Sequence, residues 1–221
     1  MMRRMKVFTR ATAVIAVDAI LSLTVAAATP PPGTPQLAGT RIALQAKPST
    51  GLWMGTFHVV LEQTPLLEVR NAVGVGAVSN QGEAGEGISW LCYTNLSSSF
   101  PERIWISTHR EMGGPEQRVM GVTAQLLGEN LANPDCPALP RALTPLRIDN
   151  GLWLNVTAPE VANTLHTAIG AGREWQQFSY SGKVRGSGKC GADGFDLQNG
   201  LAVKLRAGRV TFLQVNQVTS C

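Results

Sequence analysis

The sequence predicts an α+β fold: a tandem duplication of one unit, in which a short helix packs on one face of an antiparallel sheet. Three observations predict it. The pentapeptide GLWMG begins at Gly51, and a near copy, GLWLN, begins at Gly151. Each copy is followed by a helix-like stretch that stops at a glycine. Each body then runs through a Trp-to-Tyr strand and an alternating pair of strands to a terminal cysteine.

The helices come first. After GLWLNV stands TAPEVANTLHTAIG. Thr157 is an N-cap, and Glu160 three residues on completes a capping box. Val161, Leu165, Ala168 and Ile169 fall on one helical face, and Gly170 suits a left-handed stop. After GLWMGTFHVVLEQ stands TPLLEVRNAVG. Thr64 can cap, Pro65 suits the first helical position, Leu66, Val69 and Val73 form the apolar stripe, and Gly74 ends it.

The strands follow. SWLCY (Ser89–Tyr93) corresponds to WQQFSY (Trp175–Tyr180). ERIWISTHR with RVMGVTAQLL corresponds to LAVKLRAGRVTFLQVNQV, each an alternating pair about a turn. The turn RAGR is tight and EMGGPEQ is longer. Such a sheet can bury one face against its helix and leave the other open.

The remaining segments divide the chain. Residues 1–28 read as a secretory signal peptide: Arg3, Arg4, Lys6 and Arg10, then the apolar ATAVIAVDAILSLTV, then an Ala-x-Ala exit with cleavage after Ala27 or Ala28. The competing reading is a retained anchor. Asp18 opposes it, and the apolar run falls short of the roughly 20 residues a spanning helix needs. No cysteine follows the run to take a lipid. Residues 29–39 form a stiff proline-rich tail. The first repeat is 40–136, PDCPALPRALTP supplies a linker over 137–145, and the second repeat is 146–221.

Charge excludes one class of partner. The chain is +4, from 19 basic and 15 acidic residues. Four of those basic residues and one acid lie in the leader, so the mature chain is near +1. Nucleic-acid binding rests on a dense basic footprint, which is missing. The residual charge is uneven, with seven basic and nine acidic residues over 29–145 and eight and five over 146–221.

The cysteines are Cys92, Cys136, Cys190 and Cys221. An even count in an exported chain indicates disulfides, and four cysteines allow three pairings. If each repeat carries its own bridge, the pairs are Cys92–Cys136 and Cys190–Cys221. No Cys-x-x-Cys supports zinc or thioredoxin-type chemistry.

Catalytic motifs are missing. YSGKVRGSGKCG lacks the first glycine and the Ser or Thr that a phosphate loop needs, and reads as a basic loop able to reach an acidic partner. His58, His109 and His166 have no metal-ligand spacing. There is no Gly-x-Ser-x-Gly elbow and no His-Glu-x-x-His. No catalytic residue, metal or cofactor is expected.

Trp53 pairs with Trp153 and Trp90 with Trp175 across the repeat, which suits a common core. Trp105 has no counterpart. Alternation puts Ile104 and Ile106 on the helix side, and Arg103, Trp105, Ser107 and His109 on the open face. In the second repeat Leu201, Val203 and Leu205 point inward, which leaves Lys204 and Arg206 on the open face. Trp105, His109, Lys183, Arg185, Lys204 and Arg206 are the expected partner-binding residues, since Trp beside basic groups is common in interface hot spots. The competing reading packs Trp105 between the units.

Taken together, Thr157, Pro159, Glu160, Val161, Gly170, Trp175 and Tyr180, with Thr64, Pro65, Val69, Gly74, Trp90 and Tyr93, give a pattern that resembles the secreted beta-lactamase inhibitor proteins. It also resembles the unit fold of the small outer-membrane assembly lipoproteins. The resemblance covers most of the mature chain as a pattern. It implies an exported, non-enzymatic protein that occludes a protein partner, either a secreted or periplasmic hydrolase or a toxin. Two departures stand: no lipid-attachment cysteine, and half-cystines more widely spaced than in the inhibitors. The alternative reading is a structural or cell-wall-glycan-binding envelope protein.

Overall fold

The computed structural model describes residues 28–34, 41–82, 87–109, 117–128, 135–170, 172–185 and 194–221. The leader through Ala27, the 35–40 end of the tail, and the 186–193 stretch with Lys189 and Cys190 lie outside the described residues.

The described residues are mostly sheet, with two short helices. In chain order the elements are β1 (Arg41–Ala43), β2 (Gly51–Met54), β3 (Phe57–Val60), α1 (Leu66–Val73), β4 (Ser79–Gln81), β5 (Ile88–Asn95), β6 (Glu102–His109), β7 (Gly121–Leu126), β8 (Leu146–Ile148), α2 (Ala158–Thr164), β9 (Trp175–Val184), β10 (Phe195–Arg206) and β11 (Arg209–Ser220). A 3-10 turn covers Arg141–Leu143. Eight strands make one sheet in the order β1-β9-β10-β11-β7-β6-β5-β4, and β3-β2-β8 make a smaller one. All pairings in the large sheet are antiparallel except β1 with β9.

The meanders β5-β6-β7 and β9-β10-β11 meet edge to edge, with Leu213 opposite Ala124 and Val215 opposite Val122. The core lies between the large sheet and the layer of helices and small sheet. Leu91, Tyr93, Ile104, Ile106, Val122, Val203, Leu213 and Val215 from the large sheet bury with Leu52, Val59, Leu66, Val69, Ile148 and Val161. Alternation in β6 and β10 therefore points Ile104, Ile106, Leu201 and Val203 inward, as their sequence predicts.

Local signals hold to different extents. RAGR closes β10 onto β11 with Ala207 and Gly208 both at positive φ, the two-residue hairpin turn that matches strand twist. Thr157 accepts from the Glu160 backbone N–H while the Glu160 carboxylate accepts from Thr157 N, a complete capping box. Gly74 ends α1 in the left-handed region, and its N–H donates to Arg70 O. Thr64 is not the cap of α1. Pro65 holds that position, and Thr64 Oγ1 instead accepts from Val60 N at 2.9 Å. The second helix is shorter than expected. It ends at Thr164, and His166 takes positive φ four residues before Gly170. Asn163, Thr164 and Thr167 are weak helix formers, so the Leu165–Ile169 stripe does not extend the helix.

The two GLW copies differ in structure. The first is β2, but Gly151 and Asn155 of the second have positive φ, so the second copy turns instead of extending. The copies nevertheless meet. Thr50 N and Oγ1 donate to Asp149 Oδ2 at 3.0 and 2.5 Å, and Asn150 Nδ2 donates to Pro48 O at 2.7 Å. Trp53 and Trp153 part ways accordingly. Trp53 stacks on His58 with ring centroids 4.0 Å apart, whereas Trp153 buries and donates to Glu102.

Cys92 and Cys136 are disulfide-bonded across 44 residues of sequence. Cys221 is also disulfide-bonded, while Cys190 lies outside the described residues. Among the described residues no helix is long and apolar enough to cross a membrane.

Candidate binding face

The large sheet turns one face to the core and the other outward. Register lines up the outward side chains in rows. One row reads Trp175–Lys204–Phe212–Gln125–Arg103–Thr94. The next reads Arg41–Gln177–Ala202–Gln214–Thr123–Trp105–Cys92. The third crosses all eight strands: Ala43–Ser179–Gly200–Asn216–Gly121–Ser107–Trp90–Ser79.

The half of this face on β4, β5 and β6 is covered, which corrects the expectation that Trp105 stands open. Trp105 is 3% exposed and packs with Trp90, Cys92, Cys136 and Ala28. Its Nε1 donates to Thr29 O at 2.9 Å, and Ala28 N donates to Ser79 Oγ at 2.9 Å. The physical reason is a second small core. Indoles from β5 and β6 are too large to leave in water beside one another, and two chain segments cover them. One is the Pro-rich segment 28–34. The other is the chain at Cys136, held by its disulfide and by Thr94 Oγ1 donating to Cys136 O at 3.1 Å. Residues 137–139 run parallel beside β5 at the sheet edge: Thr94 N donates to Pro137 O and Leu139 N to Thr94 O.

The half on β9, β10, β11 and β7 is polar, and no segment among the described residues lies over it. A trough of 280 Å³ runs along it, lined by Gln177, Ser179, Ser181, Gln198, Gly200 and Asn216 and reached at one end by Thr34 and Arg41. Its floor depends on Gly200. A Cβ there would stand 2.4 Å from Asn216 Oδ1. In the row next to Gln177, Trp175 meets Phe212 edge-on with centroids 5.1 Å apart. Lys204 Nζ lies 5.7 Å from the Trp175 ring and 3.1 Å from Glu174 Oε1.

The other expected partner-binding residues scatter around this half. Lys204 belongs to the Trp175 row. Arg206 is exposed near the β10–β11 turn. Lys183 and Arg185 are exposed at the end of β9, with Lys183 Nζ 2.8 Å from Asp196 Oδ1. These ion pairs sit in water and contribute little. His109 is exposed at the far end of β6, opposite Ile88, and does not join them. Sequence reasoning passed over the amides and serines. The signal was present in the alternation of Gln177, Ser179 and Ser181 in β9, matched by Gln198 and Gly200 in β10 and by Gln214 and Asn216 in β11.

One further polar cluster lies elsewhere. His58 Nε2 is 2.7 Å from Asp149 Oδ1, and Asp149 also holds Thr50. With its ring flat against Trp53, His58 ties β3 to the turn after β8. Its other ring nitrogen has no hydroxyl or thiol partner among the described residues. No group of three metal-ligating side chains is present among the described residues. No family model, curated protein or solved structure matches the chain.

Proposed function

We propose that this chain is an exported, non-enzymatic binding protein that occludes a protein partner, a hydrolase or a toxin, with the uncovered half of its outer sheet face. The observation that carries the reading is the polar trough, with Trp175, Phe212 and Lys204 in the row beside it. Half of the face is covered by the protein itself, while the other half exposes Ser181, Gln198 and Asn216. A tandem duplication accounts for the architecture: two three-stranded meanders, each with a helix before it, joined through β7 and β11.

Size limits the contact. Five strands about 4.8 Å apart and rows about 7 Å apart give a patch about 20 Å on a side. A standard interface buries roughly 800 Å² per partner. The rim residues Arg41, Lys183, Arg185 and Arg206 therefore belong to the contact. Formed disulfides fit an oxidising compartment, in keeping with export.

A second reading, binding of cell-wall glycan, is favoured by the same trough. Neutral amides and hydroxyls beside an indole are the groups that grip a sugar ring. Capture from envelope and secreted fractions on the immobilised, oxidised protein separates the two. One dominant protein that is not displaced by cell-wall fragments supports occlusion. Retention of glycan alone moves the function to the second reading.

A further inference from the structure

Glu102 lies on the inner face at the last register of β5-β6-β7, opposite Asn95 on one side and Leu126 on the other. It is 3% exposed. Its two carboxylate oxygens are each held by one donor: Asn95 Nδ2 to Oε1 and Trp153 Nε1 to Oε2, both at 2.7 Å. Among the described residues no cation faces it: the side-chain groups acting on it are those two donors. A buried carboxylate is costly without a counter-charge, and each oxygen retains a lone pair for a further donor.

The carboxylate is also part of the wall of a cavity of 380 Å³, within the roughly 300–1,000 Å³ usual for small-molecule sites. The larger lining surfaces are apolar and aromatic, Phe100, Leu126, Leu146, Trp153 and Leu154, beside several hydroxyl and amide side chains. The 96–100 loop beside it carries two exposed apolar side chains, of which Phe100 lines the cavity. Phe100 is 49% exposed, and Leu96 on the same loop is 54% exposed. An apolar chamber with one unneutralised acid and two aromatic rings has the composition that favours an organic cation, through charge pairing and ring–cation attraction.

We propose that this cavity binds a small amphiphilic molecule with an apolar body and one protonated amine, the ammonium pairing with Glu102 and the body lying against Phe100, Trp153 and Leu126. This site stands on the opposite side of the sheet from the outer trough and is independent of the partner proposed there.

The indole N–H of Trp153 reports on it directly, because that group already touches Glu102. Hexylammonium chloride is titrated into the full mature protein while the five tryptophan indole N–H resonances are followed, with Trp153→Phe assigning the one of interest. The expected result is a saturable shift of the Trp153 resonance at millimolar hexylammonium. Hexan-1-ol, which has the same body and no charge, requires at least tenfold more. In Glu102→Gln the preference for the amine over the alcohol disappears. An unmoved Trp153 resonance, or an equal response to amine and alcohol in the unaltered protein, overturns the proposal without reference to any variant.

Discussion

The indole Nε1 of Trp105 donates to the carbonyl oxygen of Thr29 at 2.9 Å across 76 residues of sequence. This bond joins the residue expected as an exposed anchor to the segment expected as a free tail. It turns Trp105 into a core residue of the outer face. Trp105→Ala is therefore expected to destabilise the protein by about 3 kcal/mol or more, as large-to-small changes at buried aromatics do. Denaturant unfolding measures this. A loss near zero would mean that the segment does not cover the ring in solution.

The covering segment has its own signature. Deleting residues 1–34 uncovers Trp105 and Trp90, both 2–3% exposed in the intact fold. The tryptophan emission of the truncated protein should move to longer wavelength without loss of sheet signal in circular dichroism. Unchanged emission would contradict the packing of Ala28 and Thr29.

The Cys92–Cys136 bridge closes 44 residues of chain and anchors the stretch that pairs beside the edge of β5. A loop of this size corresponds to about 4 kcal/mol of lost unfolded-state entropy. The Cys92→Ala, Cys136→Ala pair should lose stability of that order, and Trp90 and Trp105 should become accessible to quenchers. Retained stability and unquenched tryptophans would show that the bridge is dispensable to the outer core.

Glu102 sets a pH dependence. Burial holds its carboxyl above the usual carboxylate range, opposed by the donors Asn95 and Trp153. For an acid raised in the folded state, the stabilising contribution is present below the unfolded pKa, near 4.3, and is lost as pH rises through the folded value. The melting temperature of the unaltered protein, relative to Glu102→Gln, should therefore fall as pH rises from about 4. A difference that is flat or rises with pH would contradict this. Glu160 acts in the opposite sense, because hydrogen bonds from the Thr157 backbone and hydroxyl hold its carboxyl below the usual range.

The second helix rests on its cap. Thr157→Ala removes one half of the capping box and should cost about 1 kcal/mol, with Thr157→Ser restoring most of it. A null effect would mean that packing of Val161 alone holds α2.

Local chemistry explains what the sequence made legible. The strands of both meanders and the inward Ile104, Ile106, Leu201 and Val203 follow from period-two alternation. The RAGR turn, the Gly74 stop and the Thr157 box each depend on neighbours within a few residues. The rest depends on distant chain. A proline-rich stretch carries no periodicity, so nothing in residues 28–34 announces that they will lie on Trp105. GLW is read as one motif twice, but φ at Gly151 and Asn155 is decided by the turn that brings Asp149 to Thr50 and His58. Glu102 looks like an ordinary strand residue until Trp153, 51 positions away, closes over it.

The central claim is that the uncovered half of the outer face docks the partner, and Gly200 gives the most direct test. Gly200→Val fills the trough, yet the Cβ meets only the end of the Asn216 side chain, which can swing aside, and valine suits a strand. The affinity of the captured partner is measured for the unaltered protein, for Gly200→Val, and for Arg147→Glu, whose side chain is exposed on β8, as a remote control. The account predicts at least a tenfold loss for Gly200→Val, with unchanged melting temperature and no loss for Arg147→Glu. Full affinity in a folded Gly200→Val protein would contradict it.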